Sequence, residues 1–268
     1  MELYDAIFYR KSTRKYSNKK VKEGLLEEVK NACSQITYLN KEVDRGHLVH
    51  FLMGKKCKVK APHYIIVTSN KGNDYLQNIG FAMEEVVLKL TTLGLATCWL
   101  ECNIKREDIL EFVQLKDSDE EKNDTIVESE EKNEESKNVN LEQPYSIIAF
   151  GYPDEDEKLF RTNKDVDRKR ISHVCRKLDK NLEKIVEALR WAPSVKNSQP
   201  WILYNNSNMV HLYEEKQKKN IKDNKISMGI ALRHFDIACN KFGLEVDYSK
   251  IDVKKRMAKE YYITATLK

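Results

Sequence analysis

The sequence Ala192-Pro-Ser-Val-Lys-Asn-Ser-Gln-Pro-Trp201 connects an apolar-periodic helix to a short β-like run. Pro193 lacks a backbone N–H and clashes with the preceding turn, so the helix must end here. Small polar residues lie between the two prolines, and rigid polar connectors between packed elements often carry ligand contacts. A helix stop, a turn and a core tryptophan at Trp201 would explain the same residues without a ligand. The stretch alone leaves both interpretations open.

A second polar motif, RKSTRKY, follows the first predicted helix at residues 10–16. The pattern A-P-S-x-x-N-x-Q-P-W resembles the signature of FMN-dependent nitroreductases, and residues 10–16 resemble that family's R-R-S-x-R-x-[FY] stretch. In the family the two pieces come from different subunits of a dimer and close over one flavin. Here both lie in one chain, so the sequence resembles the duplicated, single-chain branch of the family, in which two halves form a pseudo-dimer.

An internal repeat supports the duplicated arrangement. A predicted helix begins at Gly80 and ends at Gly94, a separation of 14 (94 − 80 = 14). A second begins at Gly229 and ends at Gly243, with the same separation (243 − 229 = 14). Self-similarity at a fixed spacing is the mark of a repeated structural unit. The sequence therefore predicts two related halves.

The resemblance implies an α+β, nitroreductase-like fold, with a central mixed or antiparallel sheet flanked by helices in two duplicated halves. We place the first half at residues 1–153 and the second at residues 154–268. The halves have diverged in complementary ways. Residues 33–38, CSQITY, stand where the first half would carry A-P-S-x-x-N, and residues 168–170, RKR, match the N-terminal motif poorly. One intact flavin site between the halves and one degenerate site are expected.

Apolar spacing and turn signals predict the individual elements. Helices are predicted at residues 3–9, 25–36, 78–93, 105–114, 181–191 and 228–241. Strands are predicted at 61–69, 95–101, 145–151, 201–204, 209–213, 245–248 and 260–267. Residues 154–180 are predicted to be a charged connector. The segment 117–142 holds eleven acidic residues and three lysines, so we predict a disordered acidic insertion in the first half.

Composition narrows the possible partners and compartment. The net charge is +5, and without the acidic segment it is +13 (47 − 3 = 44 basic, 42 − 11 = 31 acidic). The lysines are nevertheless spread along the chain without a known binding motif, so no nucleic acid partner is predicted. No apolar run approaches the ~20 residues of a membrane helix, and the N-terminus does not resemble a secretory signal. The cysteines are scattered and show no metal-site spacing, which predicts reduced thiols, no metal and a cytoplasmic location.

Flavin mononucleotide requires cations and donors for its phosphate, small polar partners for its ribityl chain, and a flat apolar wall for its ring. The resemblance assigns the phosphate and the pyrimidine end of the ring to Arg10, Lys11, Ser12 and Arg14. It assigns the ribityl chain and ring to Pro193, Ser194, Asn197 and Gln199.

Two further stretches carry a weaker resemblance. Residues 94–101, GLATCWLE, resemble the family's G-L-x-[ST]-x-x-x-E segment, which places a backbone N–H near flavin N5. The resemblance assigns that contact to Leu100 and Glu101 and the ring wall to Trp99, although Cys102 replaces the glycine that often follows. Arg168 and Lys169 match either the family's basic phosphate ligands or a plain charged linker.

The resemblance implies an FMN-dependent NAD(P)H oxidoreductase with no catalytic side chain of its own. Hydride would pass from NADH or NADPH through FMN to a small oxidised acceptor, a nitroaromatic or quinone. The acceptor pocket is expected near Tyr38, Phe51 or Phe81, which the sequence does not rank. A non-catalytic flavin sensor or carrier on a decayed enzyme is the alternative. The chain is expected to be either a monomer, whose two halves form an internal pseudo-dimer, or a weak homodimer.

Overall fold

The computed structural model describes residues 1–39, 49–51, 57–101, 104–110, 115, 141–162, 167–216 and 221–268. The first half of the chain contains α1 (Leu3–Tyr9), α2 (Glu23–Ser34), β1 (Val49–Phe51), β2 (His63–Ser69), α3 (Tyr75–Thr92), β3 (Ala96–Glu101), α4 (Arg106–Ile109) and β4 (Gln143–Gly151). The second half contains α5 (Ile171–Val174), β5 (Cys175–Arg176), α6 (Glu183–Arg190), β6 (Trp201–Asn206), β7 (Met209–Glu215), α7 (Ile221–Lys241), β8 (Val246–Ser249) and β9 (Lys259–Leu267).

Most predicted elements are confirmed, with ends that shift by a few residues. The helix predicted at 105–114 is described only as α4, and residues 111–114 lie outside the described residues. The predicted connector 154–180 contains α5 and the short strand β5, which pairs in parallel with β6. Nearly all of the predicted acidic insertion, residues 117–140, also lies outside the described residues.

Each half builds its own sheet, and the two sheets share one strand order. The first sheet runs β1-β2-β4-β3 and the second runs β6-β7-β9-β8, with β5 added beside β6. Neighbouring strands in both series are antiparallel. The register shifts at Val67/Thr68 between β2 and β4, and at Leu212/Tyr213 between β7 and β9. The second half therefore repeats the topology of the first, including a bulge in the corresponding strand pair.

Helices α3 and α7 cross at the centre of the molecule, and the predicted glycine repeat lies at this crossing. A Cβ on Gly80 would come within 2.0 Å of the carbonyl oxygen of Ile226. A Cβ on Gly229 would come within 1.7 Å of the carbonyl oxygen of Gln77. The contacts are reciprocal, because each glycine meets the residue three positions before the other (229 − 3 = 226, 80 − 3 = 77). Only residues without a side chain allow the two backbones to approach this closely.

The core surrounds this crossing. Helix α3 is buried along almost its whole length, because it packs against α7, α1, α2 and the first sheet. Helix α7 packs in turn against α6 and the second sheet. Trp201, at the start of β6, is fully buried in the same hydrophobic cluster, which agrees with the interpretation of this tryptophan as a core residue. Among the described helices, none is both long enough and apolar enough to cross a membrane.

Candidate functional site

A cavity of about 260 Å³ opens beside the helix crossing, between the two halves. The first half contributes Ser12, Arg14, Trp99, Leu100, Tyr145 and Ser146 to its lining, and the second contributes Pro193, Ser194, Val195, Lys196, Ile226, Ser227 and Ile230. Both sequence motifs therefore meet around one space, although they are about 180 residues apart in the chain. Six of the predicted site residues line it directly: Ser12, Arg14, Trp99, Leu100, Pro193 and Ser194.

The N-terminal motif reaches the cavity because it runs beside β3. Helix α1 ends at Tyr9, and Arg10 closes its last turn by donating its N–H to the carbonyl of Ala6. Ser12 then forms a parallel bridge with Thr97, and the N–H of Thr13 donates to the Thr97 carbonyl at 2.9 Å. This short pairing places the motif next to Trp99 and Leu100, which follow on the same strand.

The proline-bounded motif is held in an unusual backbone shape. Lys196, Asn197 and Gln199 all have positive φ angles, of 48°, 56° and 46°. Such angles are costly for residues with side chains and persist only where surrounding contacts enforce them. One such contact is the N–H of Gln199, which donates to the Ser194 hydroxyl at 2.9 Å. The strained loop presents Ser194 to the cavity in a fixed position.

Arginine side chains gather behind the N-terminal motif. Arg10 is only 3% exposed, and among the described residues none accepts a hydrogen bond from its Nε or Nη1. Burial and repulsion from Arg10 and Arg168 lower the pKa of Arg161 to about 9. Burial and repulsion from Arg10 and Arg190 lower the pKa of Arg168 to about 10. A bound anion would stabilise the charged forms of these groups, which burial and mutual repulsion disfavour.

The remaining predicted residues lie around the cavity rather than in its lining. Arg168 donates to the Asn197 side-chain oxygen at 2.9 Å, and the backbone N–H of Lys169 donates to the Gln199 side-chain oxygen at 2.8 Å. These contacts fasten the connector to the proline-bounded motif, so Arg168 and Lys169 are not a free linker. Lys11 instead forms an ion pair with Glu157 at 2.6 Å. The side chain of Glu101, and Cys102 as a whole, lie outside the described residues.

Of the three predicted acceptor-pocket residues, the two with described side chains do not line the cavity. Phe81 is buried in the core, with the guanidinium carbon of Arg233 only 3.6 Å from its ring centroid, so its assignment to a pocket was wrong. Tyr38 is not part of the cavity lining. The side chain of Phe51 lies outside the described residues.

The sequence analysis missed Arg161 and the contribution of α7. Arg161 stands in a charged connector, where composition predicts solvent exposure, but its guanidinium lies 4.7 Å from the Trp191 ring centroid and donates to the Ile7 carbonyl. Ile226 and Ile230 have the i, i+4 spacing of one helix face, which predicts burial but not a cavity wall. Among the described residues no cluster of His, Cys, Asp and Glu is suited to hold a metal ion.

The fold resembles solved nitroreductase structures. A Thermotoga maritima protein described as a "putative nitroreductase" matches 100% of this chain and 93% of its own, at 22% identity and a TM-score of 0.61. An FMN-dependent nitroreductase from Clostridium difficile covers 60% of this chain and 93% of its own, at 19% identity and a TM-score of 0.41. A Bacteroides fragilis nitroreductase with bound FMN covers 62% and 95%, at 16% identity and a TM-score of 0.42. No curated protein gives a significant match.

The family comparison agrees with the duplication seen in the sheets. One family model, described as "Putative TM nitroreductase", matches the chain twice, over residues 2–127 and 125–239. The two matches together span most of the chain. The reciprocal helix crossing and the repeated strand order show separately that the second half repeats the first. The chain therefore belongs to this nitroreductase family and carries its unit in duplicate.

Proposed function

We propose that this protein is an FMN-dependent oxidoreductase that transfers hydride from NADH or NADPH to a small oxidised acceptor such as a nitroaromatic or quinone. Membership of the nitroreductase family supports the reaction class. The observation that carries the flavin assignment is the meeting of the two motifs at one cavity, beside the buried Arg10, whose Nε and Nη1 have no acceptor among the described residues.

The arginine cluster suits the phosphate end of FMN. A phosphate monoester carries close to two negative charges near neutral pH and offers several acceptor oxygens. Guanidinium groups match that geometry with paired donors. Arg10 has two unused nitrogen donors, and its Nη2 lies 3.4 Å from the hydroxyl of Ser12, a cavity-lining residue. Arg10 and Ser12 would therefore hold the phosphate, with Arg161 and Arg168 adding positive charge around it.

The cavity lining suits the rest of the cofactor. Trp99, Leu100, Ile226 and Ile230 form apolar walls, while Ser194 and Ser227 supply hydroxyls. FMN, when bound, supplies a ring that accepts hydride from a reduced nicotinamide and passes it on. The protein's own residues would bind and orient the cofactor and keep one side of the cavity open for the second molecule.

The experiment is a titration of the apo-protein with FMN, followed by flavin absorbance and fluorescence. We expect about one FMN per chain, and we expect Arg10→Met to weaken binding by about tenfold or more, as loss of a charge-assisted contact does. Lys30→Met is the matched control, because Lys30 is an exposed cation paired with Glu27 on α2. Absence of FMN uptake would contradict the proposal, and equal affinities for the three proteins would contradict the phosphate assignment.

Turnover is tested on the loaded protein. Bleaching of the flavin by NADH or NADPH, and recovery of the colour with a nitroaromatic or quinone, are the results expected of an enzyme. Flavin that binds but does not bleach would favour the sensor or carrier. We also propose that the protein acts in the cytoplasm. We propose a monomer or a weak homodimer, because the two halves of one chain already bring both motifs to one cavity; analytical ultracentrifugation measures the mass.

A further inference from the structure

A buried carboxylate and a buried histidine pair across the helix crossing, next to the cavity. Glu84 on α3 and His234 on α7 are both 0% exposed, and His234 Nε2 lies 3.0 Å from Glu84 Oε1. His234 Nδ1 lies 3.1 Å from the carbonyl oxygen of Ala188. The second carboxylate oxygen of Glu84 accepts the indole N–H of Trp99 at 2.7 Å. The pair thus connects a cavity wall to helix α6.

The hydrogen-bond partners require a proton on this pair. A carbonyl oxygen only accepts, so Nδ1 of His234 must carry hydrogen. Nε2 and the carboxylate oxygen also need a hydrogen between them, which makes either an imidazolium beside a carboxylate or a neutral imidazole beside a carboxylic acid. Two further positive or donating groups face Glu84: the Trp99 N–H and the Arg10 guanidinium, whose Nε is 3.9 Å away. These groups favour the ionised carboxylate, so the proton belongs to His234.

The repeat provides an internal reference for this pair. Glu84 and Arg233 lie four residues after their glycines (84 − 80 = 4, 233 − 229 = 4), and Glu85 and His234 lie five residues after them. Glu84 pairs with His234, and Glu85 pairs with Arg233 at 3.2 Å. The two ion pairs therefore occupy equivalent places on opposite sides of the crossing. The Glu84 pair is the one in contact with Trp99 and Arg10.

We propose that Glu84 and a protonated His234 form a positioning pair for the cofactor cavity, an inference that rests on the proposed flavin function. Glu84 holds the indole of Trp99 at the ring wall and is the ion-pair partner of Arg10 at the phosphate end. His234 ties that carboxylate to Ala188, four residues before the proline-bounded motif begins (192 − 188 = 4). The hydrogen bond between His234 and Glu84 thus connects Ala188 of the second half to Trp99 of the first. Residues from both halves must be correctly placed for one cofactor to bind.

The protonation is tested on the apo-protein by NMR with ¹⁵N-labelled histidine. We expect one imidazole to carry a proton on both ring nitrogens, because its Nδ1 faces a carbonyl oxygen and its Nε2 faces a carboxylate oxygen. Its signal is assigned by its loss in His234→Gln. In Glu84→Gln the amide can donate to a neutral Nε2, so His234 should lose one ring proton. A neutral His234 in the wild-type protein would overturn the proposal, whether or not FMN binds.

The positioning role is tested by FMN affinity. Glu84→Gln should raise the FMN dissociation constant by about tenfold, because Arg10 loses its ion-pair partner beside the repelling Arg161. Glu85→Gln is the matched control and should change affinity by less than about twofold, since it alters the equivalent pair away from the cavity. Equal effects of the two substitutions would overturn the positioning role. Failure of the wild-type protein to bind FMN would instead overturn the proposed function and leave the NMR result standing.

Discussion

The two sides of the α3–α7 crossing are built from equivalent positions, yet among the described residues one side lines the cavity and the other is filled by packed side chains. At the cavity, α7 presents Ile226, Ser227 and Ile230, and β3 presents Trp99. The equivalent positions on the other side, 149 residues away in each case, are Gln77, Asn78, Phe81 and Tyr248. There the Phe81 ring lies under Arg233 and meets the Tyr248 ring edge to face. The side chains of Phe81 and Arg233 thus occupy the space that corresponds to the cavity on the other side.

The arginines show the difference most clearly. Arg233 donates to the carbonyls of Thr37 and Phe81 and pairs with Glu85 and Asp236, so its charge is compensated within the protein. Arg10 is equally buried and lies 3.9 Å from Glu84, but its Nε and Nη1 have no hydrogen-bond acceptor among the described residues. A buried arginine whose donors all have partners within the protein has no need of a bound anion. A buried arginine with unpaired donors is stabilised when an anion binds to it. The expectation of one intact and one degenerate flavin site stays a prediction, which the FMN titration tests.

The largest expected effect tests the symmetry of the crossing itself. Gly80→Ala and Gly229→Ala should each lower the free energy of unfolding by about 3 kcal/mol or more, because the added Cβ would overlap a backbone carbonyl. Urea denaturation measures both. Gly24→Ala is the control: nothing lies within 4 Å of its Cβ position in α2, and alanine favours helix, so stability should rise by about 0.5–1 kcal/mol. Losses under about 1 kcal/mol at both crossing glycines would show that the backbones are not in such close contact.

The next effect contrasts the two buried arginines. Arg233→Met should lower the free energy of unfolding by about 3 kcal/mol, because Glu85 and Asp236 lose a buried cationic partner. Arg10→Met should cost about 1 kcal/mol or less, because Glu84 keeps the Trp99 N–H and His234 as partners and repulsion in the arginine cluster falls. Thermal or urea unfolding of the apo-proteins checks this order. The reverse order would contradict our distinction between the closed and the open side.

The smallest expected effect is a pH dependence of FMN affinity, which arises from the arginine cluster beside the cavity. A bound phosphate favours charged Arg161, whose pKa in the folded apo-protein is lowered to about 9 by burial and by repulsion from Arg10 and Arg168. Below that pH the group is already charged, and above it binding must take up a proton. FMN affinity should therefore fall by about tenfold between about pH 8 and pH 10. Above the pKa, the uptake of one proton on binding lowers the affinity about tenfold for each further pH unit.

Arg161→Met should bind FMN more weakly at about pH 8 but with a shallower fall toward about pH 10. Arg233→Met serves as the control, since Arg233 is paired within the fold and should leave the slope unchanged. Equilibrium titrations at constant ionic strength give the slopes. Parallel curves of FMN affinity against pH for the wild-type and Arg161→Met proteins would show that Arg161 is not part of the cofactor site.

Local pattern predicted much of the fold and part of the site. Helix α1 and strand β4 followed from apolar spacing and turn signals alone, whereas the same signals left open whether Trp201 is a core residue. Six residues that do line the cavity were predicted through resemblance to a known family, four from the two motifs and two from residues 94–101. The sequence did not indicate a role for Arg161, because a charged connector has the same composition whether it is solvated or folded onto an aromatic ring.

The elements, the glycine repeat and the family could be predicted from the amino-acid sequence, because they depend on residues close together in the chain or on spacing within a motif. Which buried charges find a partner depends instead on how the chain folds. Glu84 and His234 are 150 residues apart, and the partners of Arg10 and Arg233 depend on how α3 and α7 cross. Electrostatic energy in a protein interior is set by neighbours within a few ångströms, and the sequence does not record those neighbours.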